Sequence, residues 1–242
     1  MSDRGVALIT GGARRIGRAL VVACADAGFD VAIHVRVIDD QAEAAAAEVR
    51  ARSRKATILT CDLRKESTTV ALVGEAEAEL GAVTLLVNSA SVFEEDAFEG
   101  MNRASWDAHM ETNLRAPLVL AQTFARRLPA GREGLIVNLL DQRVFTPAPE
   151  FFSYSLSKAA LWDATRMLAV ALAPRIRVNG IGPGPTLPSI HQDQAAFDAE
   201  ARATLLRRPA SPAEIAATLR YLIDAPSVTG QMIAVDSGQH LA

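Results

Sequence analysis

Apolar runs too short to be helices recur along the chain, and amphipathic stretches separate them. VALIT (6–10), VAIHV (31–35), ATILTC (56–61), LLVN (85–88), GLIVNLL (134–140), IRVNGI (176–181) and residues 231–235 are each short and mostly apolar, as expected of strands buried on both faces of a parallel sheet. Between them the pattern is helical: 15–27, closed by Gly28; QAEAAAAEVR, with Asp39 or Asp40 as its N-cap; a long stretch over 105–127; and a helix opened by the segment after Asp141 and running to Leu172. A last helix is predicted over 212–224, where Ser211-Pro212-Ala213-Glu214 reads as a capping box with Pro at the first helical position. Strand alternating with helix predicts a single α/β domain over 1–242, a Rossmann-type doubly wound parallel sheet of about seven strands with helices on both faces. Residues 186–208 have little periodicity, and this stretch is predicted to be a substrate lid.

The first strand ends in TGGARRIG (10–17), and strand, glycine-rich turn, helix and strand follow within about 30 residues, the order of a dinucleotide-binding unit. Gly11 permits the tight turn and Gly17 close helix packing, while N–H groups at the helix start meet a pyrophosphate. An NAD site would carry Asp or Glu after the second strand; this chain has Arg36 there, and Arg14 and Arg15 in the turn. Cations at that point suit a 2′-phosphate, so the expected cofactor is NADPH. Asp62, just past the third strand, either accepts from an adenine amino group or caps the helix beginning near Lys65. Ser89, Ala90 and Ser91 are small enough for a cofactor to lie close, and Phe93 is either an aromatic beside the nicotinamide or ordinary core.

Tyr154 and Lys158 stand four apart, on one helical face. An ammonium favours the phenolate, which predicts a phenol pKa lowered toward neutrality and able to exchange a proton with a substrate. Taken alone such a pair is equally at home on a helix surface. Asp141 lies thirteen residues before Tyr154, at the carboxyl end of its strand, where open α/β sheets bind ligands. Asn113 interrupts an apolar stretch, with Pro117 four residues on; its carbonyl is either left open to hold a water, or the side chain is simply tolerated.

Composition narrows the field. A net charge of −3 and 5% aromatics supply neither a basic field nor base-stacking platforms for nucleic acid. Cys24 and Cys61 read as buried thiols, and His34, His109, His191 and His240 show no ligand spacing, so neither disulfide nor metal is expected. The amino terminus has no charged-then-apolar leader and no apolar run is long enough to span a membrane, so a cytoplasmic protein is expected.

Thr10-Gly11-x-x-x-x-Ile16-Gly17, Asn88-x-Ala90, Asn113, Tyr154-x-x-x-Lys158 and Pro183-Gly184 occur in this order over essentially the whole chain. Together they resemble the classical short-chain dehydrogenase/reductase family. Three departures are informative: Arg15 replaces the usual Gly, Asn88-Ser89-Ala90-Ser91 replaces Asn-Asn-Ala-Gly, and Asp141 replaces the usual Ser. With Phe93 they are similar to the pteridine reductase and dihydromonapterin reductase branch, where a TGxxxRxG turn binds NADPH, Asp–Tyr–Lys replaces Ser–Tyr–Lys, and an aromatic stacks on the pterin. The resemblance implies NADPH contacts at Gly11, Arg14, Arg15, Ile16, Gly17, Arg36, Asp62, Leu63, Asn88, Ala90, Ser91, Lys158, Pro183 and Gly184. It implies substrate contacts at Ser91, Phe93, Asp141, Tyr154 and Leu187, catalysis by Asp141, Tyr154 and Lys158, and Asn113 anchoring a water chain behind Lys158. It also implies a homotetramer.

A pterin ring nitrogen that becomes an amine needs a proton, and a carboxylic acid with a raised pKa can supply or relay one. Burial would raise the pKa of Asp141 and Lys158 would lower it. The implied activity is NADPH-dependent reduction of a ring C=N in a dihydropterin. The alternatives are a carbonyl reductase of the same family, acting on a 3-oxoacyl thioester or small ketone, and a non-catalytic NADP(H)-sensing protein, which would not need Tyr154, Lys158 and Asn113 together.

Overall fold

Val6–Thr10 (β1) is buried at every position and pairs in parallel on both sides, with Asp30–Val35 (β2) and Val83–Asn88 (β4). A strand whose side chains are almost all apolar has no face to give to water, so it takes the centre of the sheet. The computed structural model describes residues 4–189 and 191–242. With Ala56–Thr60 (β3), Gly134–Leu139 (β5), Ile176–Pro183 (β6) and Met232–Val235 (β7), the described residues form one parallel sheet in the order β3-β2-β1-β4-β5-β6-β7. This is the expected Rossmann-type fold.

The first helices are Arg15–Asp26 (α1), Asp40–Arg50 (α2), Glu66–Thr69 (α3) and Leu72–Leu80 (α4). They are followed by Arg103–His109 (α5), Ala116–Arg127 (α6), Phe152–Leu172 (α7), Gln194–Ala203 (α8) and Pro212–Asp224 (α9). Because alternate strand residues point to opposite faces, Ala7 and Ile9 pack with α1, α2 and α9, whereas Val6 and Leu8 pack with α4, α6 and α7. Asp39 caps α2 by accepting the N–H groups of Gln41 and Ala42, and Ser211 and Glu214 form the expected capping box of α9. No helix among the described residues is long and apolar enough to cross a membrane.

Three elements differ from expectation. The helix expected over 105–127 is α5, a π-helical turn over Met110–Arg115, and then α6. Pro117 lies in the first turn of α6, where its missing N–H costs little. The helix after Asp141 begins only at Phe152; a short 3-10 turn, Gln142–Val144, intervenes. The stretch 186–208 contains α8, which Asp193 caps and which buries Phe197 and Ala201; position 190 of that stretch, like 1–3 at the amino end, lies outside the described residues.

The chain leaves β1 toward β2 and β3, then returns on the other side with β4. At such a reversal the loops beyond the carboxyl ends diverge and leave a crevice. The Thr10 hydroxyl bridges it, accepting the N–H groups of Ser89 and Ala90 at 3.0 and 3.1 Å.

Candidate active site

The floor of the crevice is bare backbone. Gly11 has φ +67°, and a Cβ there would stand 2.9 Å from Ala90 Cα; one at Gly17 would stand 2.1 Å from the Gly11 carbonyl oxygen. The turn therefore leaves room and N–H groups for a diphosphate at the start of α1, in which Ile16 packs against the core. Arg15 adopts φ +51°, a left-handed conformation that costs a non-glycine residue about 1 kcal/mol or more. Its guanidinium donates to the carbonyls of Pro188 and Leu187 at 2.9 and 3.1 Å, so the turn is joined to the stretch that follows β6. Arg14 is ion-paired with Asp39. Arg36 is exposed and takes part in no ion pair among the described residues. This donor set, with one exposed guanidinium unengaged at the end of β2, fits a 2′-phosphorylated dinucleotide.

Asp62 does not cap a helix. The helix α3 starts after Lys65 with no side-chain cap, and the Asp62 carboxylate instead accepts from the Arg64 guanidinium at 2.6 Å and from its N–H at 3.1 Å. The Arg64 hydrogen bond holds its pKa down, at about 2. Leu63 beside it is buried. Asn88 donates to Asn138 at 2.8 Å, and Asn138 donates to Thr165 at 2.9 Å, a buried polar chain behind the crevice. Pro183 ends β6, and Gly184 lies so close to β7 that a Cβ would stand 2.6 Å from that of Asp236.

At the other end of the crevice Tyr154, Lys158 and Asp141 come together. The Tyr154 hydroxyl donates to Asp141 Oδ2 at 2.7 Å. Lys158 Nζ donates to the Leu139 carbonyl at 2.7 Å and lies 5.7 Å from the Tyr154 ring centroid. The expected lowering of the phenol pKa is not what this geometry produces. Burial, then the neighbouring Asp141 charge and hydrogen bond, push the Tyr154 pKa well above its ordinary value. Tyr154 and Lys158 do stand one turn apart on α7, but the ammonium is held at a strand carbonyl while a carboxylate takes the phenol. Burial also raises Asp141, against the opposing pull of the Arg143 N–H, the Tyr154 hydroxyl, Arg143 and Lys158. Lys158 is lowered by burial to about 8, with Asp141 opposing the shift. An acid and a phenol that both resist ionisation, sharing a 2.7 Å hydrogen bond, form a proton-holding pair.

Phe93 stands against this pair, its ring centroid 4.7 Å from that of Tyr154, edge-on. It is stacked on Phe151 at 4.2 Å, and His191 Nε2 stands 3.0 Å from the Phe93 carbonyl oxygen and 3.6 Å from a Glu94 carboxylate oxygen. Phe151, with φ +53°, is marked by no sequence pattern beyond its place three residues before Tyr154. Asn113 is 1% exposed, and its side chain grips Val92: Oδ1 accepts the Val92 N–H at 2.8 Å and Nδ2 donates to the Val92 carbonyl at 2.9 Å. Ser91 is exposed and shares Asn113 Oδ1 at 3.2 Å. Asn113 thus holds the loop that carries Phe93.

The family model described as short chain dehydrogenase matches residues 5–199. Two solved structures of FolM alternative dihydrofolate reductase 1, from Brucella canis and Brucella suis, each holding NADP, share 46% sequence identity with the chain, with TM-scores of 0.94 and 0.95. The alignments cover 98% of this chain and 94% of the first, and 100% of this chain and 97% of the second. A 3-oxoacyl-[acyl-carrier-protein] reductase, FabG, of Aggregatibacter actinomycetemcomitans is 33% identical over 96% of this chain and 97% of its own. These likenesses support the family and its pteridine reductase-like branch. The chain belongs to the short-chain dehydrogenase family and is an oxidoreductase.

Proposed function

We propose that the protein reduces a dihydropterin, using hydride from NADPH, with the proton supplied by the Asp141–Tyr154 pair. NADPH, when bound, supplies hydride to the carbon of a ring C=N bond. Gly11, Ile16 and Gly17 offer backbone for its diphosphate, Arg14 and Arg36 its 2′-phosphate, and Asp62 and Leu63 the adenine end. Asn88, Ala90, Ser91, Pro183 and Gly184 line the nicotinamide end, where Lys158 reaches the ribose. The ring nitrogen must gain a proton as its carbon is reduced. Asp141 keeps a proton to a higher pH than an ordinary carboxyl, because burial opposes its charge. Tyr154 relays or orients that proton, Phe93 offers a flat wall for the ring, and Leu187 closes the site from the lid 186–208. Asn113 fixes the wall through Val92 and anchors the water route behind Lys158.

The observation that carries the reading is the 2.7 Å hydrogen bond between Tyr154 and a carboxyl of raised pKa. The Brucella proteins described as alternative dihydrofolate reductases support it by likeness. The second reading, a carbonyl reductase, draws support from the FabG relative. Assembly as a homotetramer is part of the proposal, with Met167 and Val170 of α7, 71% and 83% exposed, on the contact face. The test is NADPH oxidation with dihydromonapterin, dihydrobiopterin, dihydrofolate and acetoacetyl thioester, for the wild type and Asp141→Ala. Turnover of a dihydropterin that Asp141→Ala loses is the expected result. Turnover of the thioester alone, or ketone reduction kept by Asp141→Ser, would replace this reading with the carbonyl one.

A further inference from the structure

Beside Tyr154, Asp96, Ser153 and His109 form a buried hydrogen-bonded chain that takes no part in the roles above. His109 and Ser153 are 0% exposed and Asp96 9%. The direction of each bond is set by its ends. The Glu94 N–H donates to His109 Nε2 at 3.1 Å, so that nitrogen bears no hydrogen and the neutral ring carries its proton on Nδ1. Nδ1 then donates to Ser153 Oγ at 2.7 Å, and the Ser153 hydroxyl donates onward to Asp96 Oδ2. Asp96 Oδ1 accepts the Ser153 N–H at 3.0 Å, and the Asp96 carbonyl accepts the Phe152 N–H at 3.0 Å.

Asp96 thereby does for α7 what α7 does not do for itself. The residue at its N-cap position is Phe151, which has no polar side chain to offer. The first N–H groups of the helix are taken by a carboxylate and a carbonyl from another segment, at the end of the helix dipole that favours negative charge. That segment is the loop bearing Phe93, and the helix it caps bears Tyr154. His109 adds a third attachment, from α5, and its ring lies 6.0 Å from that of Tyr154. Burial pushes the Asp96 pKa up, but the hydroxyl and N–H of Ser153 outweigh it and hold the carboxyl below its usual range. Burial likewise keeps His109 below the usual imidazole range, with Asp96 opposing.

We infer that Asp96, Ser153 and His109 are positioning residues that hold the Phe93 wall and the Tyr154 hydroxyl at one fixed separation, so that a ring lying on the wall meets the proton donor in a single register. The fixed separation applies to any C=N or C=O bond reduced at this site; its meaning for a flat ring rests on the dihydropterin reading. A buried network also stabilises a fold, so the distinguishing property is kinetic. A displacement of about 1 Å at a reacting group costs up to about a hundredfold in rate.

The experiment compares Ser153→Ala, Ser153→Thr and Asp96→Asn with the wild type, using a dihydropterin and acetoacetyl thioester as separate substrates. In Ser153→Ala and Asp96→Asn, kcat is expected to fall about tenfold or more on whichever substrate turns over, a rise of about 1.4 kcal/mol in the barrier. The NADPH dissociation constant should stay within about twofold, since the glycine turn and Arg36 lie on other elements. Ser153→Thr keeps the hydroxyl and should recover most of kcat. Wild-type turnover of the thioester alone would sink the dihydropterin reading, and the kcat ratio on the thioester would still decide the positioning role. Folded Ser153→Ala or Asp96→Asn with wild-type kcat, or a Thr variant as slow as Ala at equal thermal midpoint, would overturn the inference. Should Ser153→Ala not fold, Asp96→Asn decides alone.

Discussion

Replacing Asn113 by Ala removes a clamp whose parts can be counted. Its side chain makes four contacts: the N–H and carbonyl of Val92 at 2.8 and 2.9 Å, the Ser91 hydroxyl at 3.2 Å, and the Ser157 hydroxyl at 3.1 Å. Ser91 is exposed and can turn to water, and Ser157 retains its bond to the Tyr154 carbonyl at 2.6 Å. The Val92 carbonyl keeps the Ser91 hydroxyl as a donor at 3.2 Å, which leaves the Val92 N–H as the group that loses most. One unsatisfied group costs about 1–3 kcal/mol, so the expected destabilisation is about 2 kcal/mol. In a domain of this size 1 kcal/mol shifts the unfolding midpoint by about 2–4 °C, so the midpoint should fall by roughly 4–8 °C. Asn113→Asp should fall as far, because it keeps the acceptor but turns a second oxygen toward the Val92 carbonyl. Calorimetric melts of the three proteins measure this. A fall of less than about 2 °C for Asn113→Ala, or wild-type stability in Asn113→Asp, would refute the clamp, since either implies that Val92 finds other partners.

Two further outcomes are expected. Turnover should decline as pH rises through about 8, where Lys158 loses its proton, in a profile of kcat against pH. Arg36→Ala should weaken NADPH binding by about 10- to 100-fold, the worth of one charge-assisted hydrogen bond, and leave NADH binding unchanged in fluorescence titrations; equal losses for both would place the 2′-phosphate elsewhere.

Features written in neighbouring residues were readable from the chain alone. VALIT, the Gly11–Gly17 turn, Asp39 as a cap and the box from Ser211 to Glu214 are local, and each appears where its pattern puts it. The π-helical turn over Met110–Arg115 was not legible, because one additional residue per turn leaves an apolar stretch looking continuous. The same limit applies to α8, which buries only Phe197 and Ala201 and so shows little periodicity. Electrostatics were least legible. Spacing placed Lys158 beside Tyr154 but could not show that Asp141 binds the phenol and reverses the sign of its shift. His109 looked like a scattered histidine because its partners, Asp96 and Ser153, lie 13 residues before it and 44 after.

The hydroxyl of Thr10 ties together strand ends that are 79 residues apart. This has a bearing on synthesis. A nascent chain that ends after β2 already has the glycine turn and Arg36, yet only one wall of the crevice exists. The edge of β1 that β4 will cover stays bare until residues 83–88 emerge, and an uncovered apolar strand is a template for pairing with other chains. Since the long crossover must close before that pairing is rewarded, this interval is both slow and hazardous. NADPH, which needs both walls, can stabilise the chain only after the interval has passed.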